Sequence, residues 1–287
     1  MTPALTVTRV RFRFIKTGKI RWTSHRDVAR MWERAFRRVA LPLAYSAGFS
    51  PRPKVSFGLA LPTGHESVAE YLDVDVAAEP GTIDVAALDA MVVSLSEALP
   101  AGVDVTAAAL IEARGPSLQE SVVSCTWRWA AVPALPPLPG AGDSVAPGQP
   151  VVIGHGTLDP APVVVEQIRA SVARLLEASE VIVTRMRKGA EIIEDIRPSI
   201  EDLRVPESLN GAGDGTEVWL EADLATQPRS IRPIEVLRAL DPGLDERHVR
   251  RLNQWILRDG ARHEPLPSPG PGSVAATDAP HVLGRAS

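Results

Sequence analysis

Apolar and polar residues alternate along residues 7–15 (VTRVRFRFI). Val10, Phe12 and Phe14 fall on one side of the chain, and arginines fall on the other. Such an alternation of period two is typical of a half-buried β-strand. The sequence therefore predicts a first strand whose outer face is cationic.

The next segment changes to helical spacing. Ser24 is a good N-cap residue, and Asp27 three positions later completes a variant of the capping box. The apolar residues that follow form one stripe: Val28, Met31, Trp32, Ala35, Phe36 and Val39. The opposite side carries five arginines, which we call the arginine face: Arg26, Arg30, Arg34, Arg37 and Arg38. This face is either an ordinary solvated helix surface or an anion-binding surface; it has only Glu33 for an i,i+4 pair.

A loop without regular structure follows Pro42, because it contains Gly48 and further prolines. Tyr45 and Phe49 lie in this loop, close in sequence to Arg52 and Lys54. Aromatic side chains beside cations can stack on a base and hold its phosphate. The alternative is that both aromatic side chains are buried and fasten the loop to the core.

The remaining pattern predicts a mixed fold. In the first half we expect strands at 54–62, 66–76 and 103–112, a hairpin turn at 63–65 and a helix at 83–99. With the first strand and helix, the order over residues 7–112 is β-α-β-β-α-β. This is the split βαβ, or ferredoxin-like, arrangement, an antiparallel sheet with helices on one face.

The second half has a similar order. We expect strands at 119–131 and 217–224, a hairpin of 181–188 with 190–196 over Lys188-Gly189, and helices at 163–179, 234–240 and 246–257. The predicted fold class is therefore α+β, with two ferredoxin-like units related by duplication. The predicted domains are 1–115 and 116–262, with a proline-rich insertion at 132–162 and a disordered tail at 263–287.

Charge is distributed unevenly along the 287 residues. The first 60 residues contain 13 Lys and Arg but only two acidic residues, whereas the whole chain has a net charge of −4. This asymmetry indicates an anionic partner at the amino-terminal end. A single cysteine, Cys125, excludes an internal disulfide and a cysteine-only iron–sulfur site. With no signal-peptide or membrane-spanning pattern, we expect a soluble cytoplasmic protein and no membrane partner.

Candidates for catalysis are few. No Gly-rich phosphate loop, His-Glu-x-x-His or Gly-x-Ser-x-Gly motif is present. His25 and Asp27 flank the start of the arginine helix, where they could contact an anion or simply cap the helix. Glu66 shares a strand face with Glu70, a pattern that fits solvated or ion-paired carboxylates as well as catalytic ones. The scattered histidines do not have metal-ligand spacing with Cys125, so no metal site is predicted.

The second half adds three cationic candidates for anion binding, Arg185, Lys188 and Arg197. Arg185 and Lys188 lie on one arm of the predicted hairpin, and acidic residues lie on the other. Cross-strand ion pairs would also explain this arrangement. Arg197 precedes a proline, and it indicates either anion binding or a structural ion pair.

Several runs of residues resemble one bacterial family. They are Ser24-His25-Arg26-Asp27, Glu33-Arg34-Ala35, Arg37-Arg38, residues 41–54, Ser56-Phe57-Gly58, Gly64-His65-Glu66-Ser67 and Glu70-Tyr71-Leu72-Asp73. These runs resemble the DUF2344-type family of radical-SAM-associated proteins. The resemblance is specific over residues 9–76, is weaker through 185–198 and extends to about residue 257.

This resemblance implies a partner. Domains of this family are fused behind a cobalamin-binding-type radical SAM module or are encoded as a separate chain beside one. This chain resembles the separate form, because one cysteine cannot supply a Cys-x-x-x-Cys-x-x-Cys cluster. The resemblance therefore places the iron–sulfur cluster, S-adenosylmethionine and cobalamin on the partner, with no cofactor on this chain.

Three functions are compatible with these observations. The first is an accessory protein that binds an anionic substrate such as tRNA or rRNA for RNA modification by the radical SAM partner, without catalysis of its own. The second is a protein–protein docking module that does not bind nucleic acid. The third is a stand-alone enzyme similar in outline to some tRNA pseudouridine synthases, with Asp27 as nucleophile, although the residues around Arg26-Asp27 depart from that family's motif.

Overall fold

The computed structural model describes residues 7–112, 115–134, 164–210 and 217–266. In this part of the chain the protein is a mixed α+β structure with a mostly antiparallel sheet and six α-helices. The chain divides into two compact units. The first contains the described residues up to Thr126 and those from Arg250 onward, and the second runs from Trp127 to Val249. The sequence predicts boundaries at 115 and 262, whereas here the residues from 250 onward group with the first unit.

The first unit has the predicted order β-α-β-β-α-β. Its elements are β1 (Thr8–Lys16), α1 (His25–Arg38), β2 (Val55–Phe57), β3 (Glu66–Val76), α2 (Val85–Ala98) and β4 (Val105–Ile111), followed by the short α3 (Leu118–Ser121). Strand β1 lies between β3 and β4 and is antiparallel to both, and β2 pairs antiparallel with β3.

Strand β2 is shorter than the predicted 54–62. The carbonyl oxygens of Leu59 and Ala60 accept hydrogen bonds from the Arg251 side chain, at 3.1 and 3.0 Å. The Arg251 side chain thus satisfies two carbonyl groups that would pair with the neighbouring strand if β2 continued to residue 62.

The core of the first unit is formed by β1, β3, β4, α1 and α2. The stripe predicted for α1 is buried at Val28, Trp32, Ala35 and Phe36. The Trp32 ring is 5.0 Å from the Phe14 ring, centroid to centroid, and is fully buried. Burial of each such side chain stabilises the fold by about 1.5–3 kcal/mol. This packing leaves the opposite side of α1 facing away from the core.

The ends of α1 follow from local sequence. The Ser24 side chain accepts a hydrogen bond from the Asp27 amide at 3.2 Å, and its hydroxyl donates to the Asp27 carboxylate at 2.7 Å. The helix ends as Ala40 adopts a left-handed conformation with φ of 52°, and the Leu41 amide bonds to the Phe36 carbonyl. The predicted capping by Ser24 is confirmed.

The remaining elements form the second unit and the end of the first. They are β5 (Val122–Pro133), α4 (Val165–Glu177), β6 (Ile182–Arg187), β7 (Ala190–Asp195), β8 (Ile200–Arg204), α5 (Glu207–Asn210), β9 (Val218–Ala225), α6 (Pro233–Leu240), β10 (Leu244–Arg258) and β11 (Ala261–His263). Strand β5 begins in the first unit, and β10 ends there. The strand order is β10-β5-β9-β8. Strands β6 and β7 form the predicted separate hairpin, with Lys188 and Gly189 at its turn.

The helix predicted over 246–257 is wrong, because these residues belong to strand β10. Val249, Leu252 and Ile256 have the spacing of a helix in the sequence. In the structure, Arg251 and Gln254 are buried as well, and they bond to Glu70 and to the Ala69 carbonyl. Two buried polar residues thus conceal the strand pattern.

Some predictions fall on residues that the structure does not describe. Within the predicted insertion at 132–162, residues 135–162 lie outside the described residues. Within the predicted tail at 263–287, residues 267–287 do so too. None of the helices in the described part combines the length and the apolar character that crossing a bilayer requires.

Candidate functional site

All five members of the arginine face are exposed. Arg30 pairs with Asp27 at 3.3 Å and Arg37 with Glu33 at 3.7 Å, both as neighbours on the helix surface. Such exposed pairs contribute only about 0–1 kcal/mol and leave the cations accessible. Arg38 donates to the Ala98 carbonyl at 3.0 Å.

Arg26 and Arg34 form no ion pair with any described residue. The arginine face therefore carries five cations against two carboxylates, and it keeps a positive charge.

The arginines of β1 have a different environment. Arg11 forms two hydrogen bonds with the Asp73 carboxylate, at 2.6 and 2.8 Å, and donates to the Pro265 carbonyl at 2.8 Å. Arg9 pairs with Asp75 at 2.6 Å, and that hydrogen bond raises the pKa of Arg9. Arg13 pairs with Glu264 at 3.3 Å. The predicted cationic outer face of β1 is therefore corrected, since carboxylates neutralise it.

The loop after α1 presents its two aromatic side chains to solvent. Tyr45 is 53% exposed and Phe49 is fully exposed, so neither is buried as the alternative interpretation required. Main-chain bonds hold the loop instead: the Ala44 amide donates to Asp75 at 2.7 Å, and the Lys54 amide donates to Ala44 at 2.8 Å. The side chains of Arg52 and Lys54 are exposed in the same loop. It thus offers aromatic rings and cations together.

A third exposed aromatic residue, Trp22, is not among the sequence-predicted site residues. Trp22 is 63% exposed and lies in the 3-10 turn Gly18–Trp22 before α1. The Arg21 guanidinium is 5.3 Å from the centre of its ring. Trp22 packs so closely over Gly64 that a Cβ there would come within 2.8 Å of the ring. In the sequence, Trp22 lies beside Lys19 and Arg21, and this aromatic residue among cations is the signal that could identify it.

The three candidate catalytic residues all have structural partners. The hydrogen bond from the Ser24 hydroxyl, with Arg30 nearby, holds the pKa of Asp27 below its usual value. The His25 ring meets the Phe57 ring edge-on, with 5.2 Å between centroids.

Glu66 accepts hydrogen bonds from Arg250 at 2.6 Å and from the Gly18 amide at 2.8 Å. Burial alone would raise the pKa of Glu66, but these bonds outweigh burial, so the pKa lies below its usual value.

A small cleft of about 20 Å³ opens beside His25. Its apolar wall consists of Phe14, Val28, Phe57, Leu59 and Leu61, and Lys16 and Glu70 also line it. Lys16 is buried and donates to the carbonyls of Thr23 and Arg21, at 3.0 and 3.3 Å. Burial lowers the pKa of Lys16, and the Glu70 charge offsets part of this effect. Sequence reasoning did not identify Lys16 as a site residue.

The second-half candidates lie in the second unit, whereas the arginine face lies in the first. Arg185 pairs with Glu194 at 3.3 Å, and Lys188 is exposed in the hairpin turn. Arg197 donates to the carbonyls of Ile200 and Leu176, at 2.9 and 2.8 Å. In the described residues Arg197 thus binds main-chain carbonyls and does not form the ion pair considered from the sequence. No group of three or more metal-ligating side chains is found in the described ranges.

These features define a mixed α+β protein whose first unit carries a cationic surface with exposed aromatic rings. Residues 9–233 match the model of a family described as "Uncharacterized protein conserved in bacteria (DUF2344)". The chain belongs to this family, which confirms the family predicted from the sequence.

Two solved structures are similar to the chain. One is the crystal structure of a Cbf5-Nop10-Gar1 complex, with a TM-score of 0.40 and 12% identity over 85% of this chain and 48% of that chain. The other is the crystal structure of the archaeal box H/ACA sRNP Nop10-Cbf5 complex, with a TM-score of 0.37 and 12% identity over 84% of this chain and 46% of that chain. The chain spans about half the length of these solved chains. A comparison with curated proteins gave no match.

Proposed function

We propose that this protein binds RNA as an accessory to a separate radical SAM enzyme of the cobalamin-binding type. The observation that carries the RNA-binding part is the arginine face, accessible and only partly paired, in the same unit as the exposed rings of Tyr45 and Phe49. Many phosphates require many accessible cations. Unpaired bases require aromatic platforms, which this unit supplies on a loop held by main-chain bonds.

The partner part of the proposal rests on the family resemblance. The radical SAM enzyme would hold the iron–sulfur cluster, S-adenosylmethionine and cobalamin, and this chain would hold the RNA, with tRNA or rRNA as the substrate class. Such a division of labour fits a chain with a single, buried cysteine, because the radical chemistry needs a cluster with several thiolates.

We also infer that each unit is ferredoxin-like and that the two arose by duplication. In the first unit β4, β1 and β3 are neighbours, and β2 pairs with β3. In the second part of the chain the order β10-β5-β9-β8 repeats this arrangement, with the β6–β7 hairpin inserted after α4. The same four-strand order with the same helix positions is what a repeated split βαβ unit would produce.

The proposed RNA binding is tested by charge reversal on the arginine face. The double variant Arg26→Glu, Arg34→Glu should reduce the affinity for a single-stranded RNA by about tenfold or more at low salt. Arg258→Glu is the matched control, because Arg258 is an exposed arginine at the end of β10 in the same unit. Equal RNA affinities of the double variant and the wild type in a filter-binding titration would contradict RNA binding by this face.

Protein docking is the second candidate function, and one observation in the second unit favours it. Ile182, Met186 and Ile193 lie on the same face of the β6–β7 hairpin and are 53%, 69% and 70% exposed. Exposed apolar side chains on one face are typical of a contact with another protein. Met186→Asp should then weaken capture of the proposed radical SAM partner in a pull-down treated with ribonuclease. Capture that instead needs Arg26 and Arg34 would assign docking to the arginine face.

A further inference from the structure

We infer that the indole ring of Trp22 is a stacking platform for one unpaired base of the bound RNA, an inference that rests on the RNA-binding function proposed above. Trp22 is 63% exposed and ends the 3-10 turn Gly18–Trp22 in the first unit. Only two residues separate this turn from α1, which carries the arginine face. A stacking platform is a surface, so it requires no cavity.

The ring of Trp22 is held in one position. The Arg21 guanidinium lies over it, 5.3 Å from the ring centre, a distance that permits cation–π attraction. The six-membered part of the ring meets Gly64, where a Cβ would come within 2.8 Å of the ring atom Cζ3. The rest of the ring surface is open to solvent. Because the ring is already fixed, a base that stacks on it costs little side-chain entropy.

The turn that carries the ring is also fixed at both ends. The Gly64 amide donates to the Arg21 carbonyl at 2.8 Å. At the other end, the Glu66 carboxylate accepts from the Gly18 amide at 2.8 Å, and it accepts from Arg250 at 2.6 Å. Glu66 belongs to β3 and Arg250 to β10. The sheet of the first unit thus sets the position of the platform before any ligand binds.

The charges near Trp22 favour a nucleic acid as the ligand. Lys19 is exposed in the same turn, and Arg26 is exposed four residues after Trp22. Four residues span at most about 14 Å, so phosphates that flank the stacked base can reach both cations. Glu66 has a side chain that is only 14% exposed and adds little negative charge at the surface. An apolar partner would have to bury these cations at a cost, whereas phosphates pair with them.

The platform selects the state of the base and not its identity. Every base has a flat face that can stack on an aromatic ring. In a duplex the neighbouring base pairs cover these faces, whereas a single strand can turn one base out. Trp22 should therefore contribute to the binding of single-stranded RNA and not to the binding of duplex RNA.

The test compares the full-length wild type with Trp22→Leu, which removes the ring and keeps an apolar side chain, in filter-binding titrations. The affinity for single-stranded RNA should fall about tenfold, in line with one stacked base. The affinity for duplex RNA of the same length should not change. Trp22→Tyr keeps an aromatic face and should recover most of the loss. Leu257→Ala is the control, because Leu257 is an apolar residue of the same unit that is 56% exposed.

Tryptophan fluorescence of the wild type provides a readout without substitution. Trp22 is the most exposed of the six tryptophans, and Trp32 and Trp129 are fully buried. Neutral acrylamide should therefore quench Trp22 preferentially. Bound single-stranded RNA should protect the fluorescence from acrylamide, and bound duplex RNA should not.

The outcomes separate the two proposals. RNA that does not bind in any form overturns the RNA-binding function and, with it, the platform. Equal binding of single-stranded RNA by the wild type and Trp22→Leu, or no protection from acrylamide, overturns the platform alone. A tenfold loss that extends to duplex RNA also overturns it, since the substitution would then act through the fold or the cations. So does a Trp22→Leu chain that keeps its RNA affinity and loses capture of a protein partner.

Discussion

Strand β1 and helix α1 are both rich in arginine, and they use it in opposite ways. Arg11 on β1 has a side chain that is only 9% exposed and is bonded twice to Asp73. Arg37 on α1 has a side chain that is 73% exposed, and its contact with Glu33 is long, at 3.7 Å. The arginines of β1 stabilise the fold, and those of α1 remain accessible to a ligand.

The two sets of arginines differ because carboxylates of a neighbouring strand lie opposite those of β1. In the paired register of β1 and β3, Arg9 is opposite Asp75 and Arg11 is opposite Asp73. Within the described residues, the arginines of α1 form ion pairs only with Asp27 and Glu33 of the same helix. A count of charges along the sequence therefore overstates the cationic surface, because it treats both sets of arginines alike.

The largest expected effect comes from breaking the buried pair of β1. Arg11→Ala leaves the Asp73 carboxylate buried without its partner, and loss of one member of such a pair destabilises by about 3–5 kcal/mol. The free energy of unfolding in urea measures this change. The comparison predicts that RNA affinity of the folded variant stays at the wild-type level.

A double substitution is the control for this first prediction. Arg11→Met with Asp73→Leu removes both charges, so most of the lost stability should return, since an apolar pair can replace a buried ion pair. If Arg11→Ala loses RNA affinity but keeps its stability, β1 belongs to the RNA-binding elements. That result would contradict the distinction between the arginines of β1 and those of α1.

The next effect concerns the loop that follows α1. Tyr45→Ala and Phe49→Ala should each weaken binding of single-stranded RNA by about 1–3 kcal/mol if each ring stacks on a base. Stability should change by less than about 0.5 kcal/mol, because both side chains are exposed. Val85→Ala, an exposed apolar substitution on α2, is the control for RNA affinity. Unchanged affinity in both loop variants would exclude this loop from the RNA contact.

A smaller effect is expected from Glu66, whose partners include Arg21 from the cationic amino-terminal segment. Its pKa is lower in the folded protein than its ordinary value of 4.5. The ionised group therefore stabilises the fold above that ordinary value, and this contribution is lost as the pH falls through the lower folded pKa. Glu66→Gln should lose less stability than the wild type when urea unfolding is compared at pH of about 6 and about 3. Parallel losses in both proteins would show that the Glu66 pairs contribute no stability.

Local signals in the sequence predicted much of the first unit. The alternation around Phe12 identified β1, and Ser24 with the stripe through Trp32 identified α1. The exposed arginine face follows directly from that helical spacing, because the burial of one side defines the other.

Long-range partners explain what the sequence did not predict. The pairing of Arg11 with Asp73 and the burial of Arg251 against Glu70 join residues far apart in the chain. An arginine such as Arg251 is expected to be exposed until its partner is known. The sequence predicts a helix over 246–257, where the structure has β10. Alternating Arg9 and Arg11, together with alternating Asp73 and Asp75, was a usable signal for the β1–β3 ladder.

The salt dependence of RNA binding tests the central comparison most directly. Replacing Arg26 and Arg34 by Gln removes two cations from the arginine face without adding repulsion. The slope of log affinity against log salt for single-stranded RNA should then become shallower by about 1.4, or roughly 0.7 for each lost phosphate contact. Arg258→Gln should keep the wild-type slope. An unchanged slope in the double variant would contradict the claim that the arginines of α1 contact RNA phosphates.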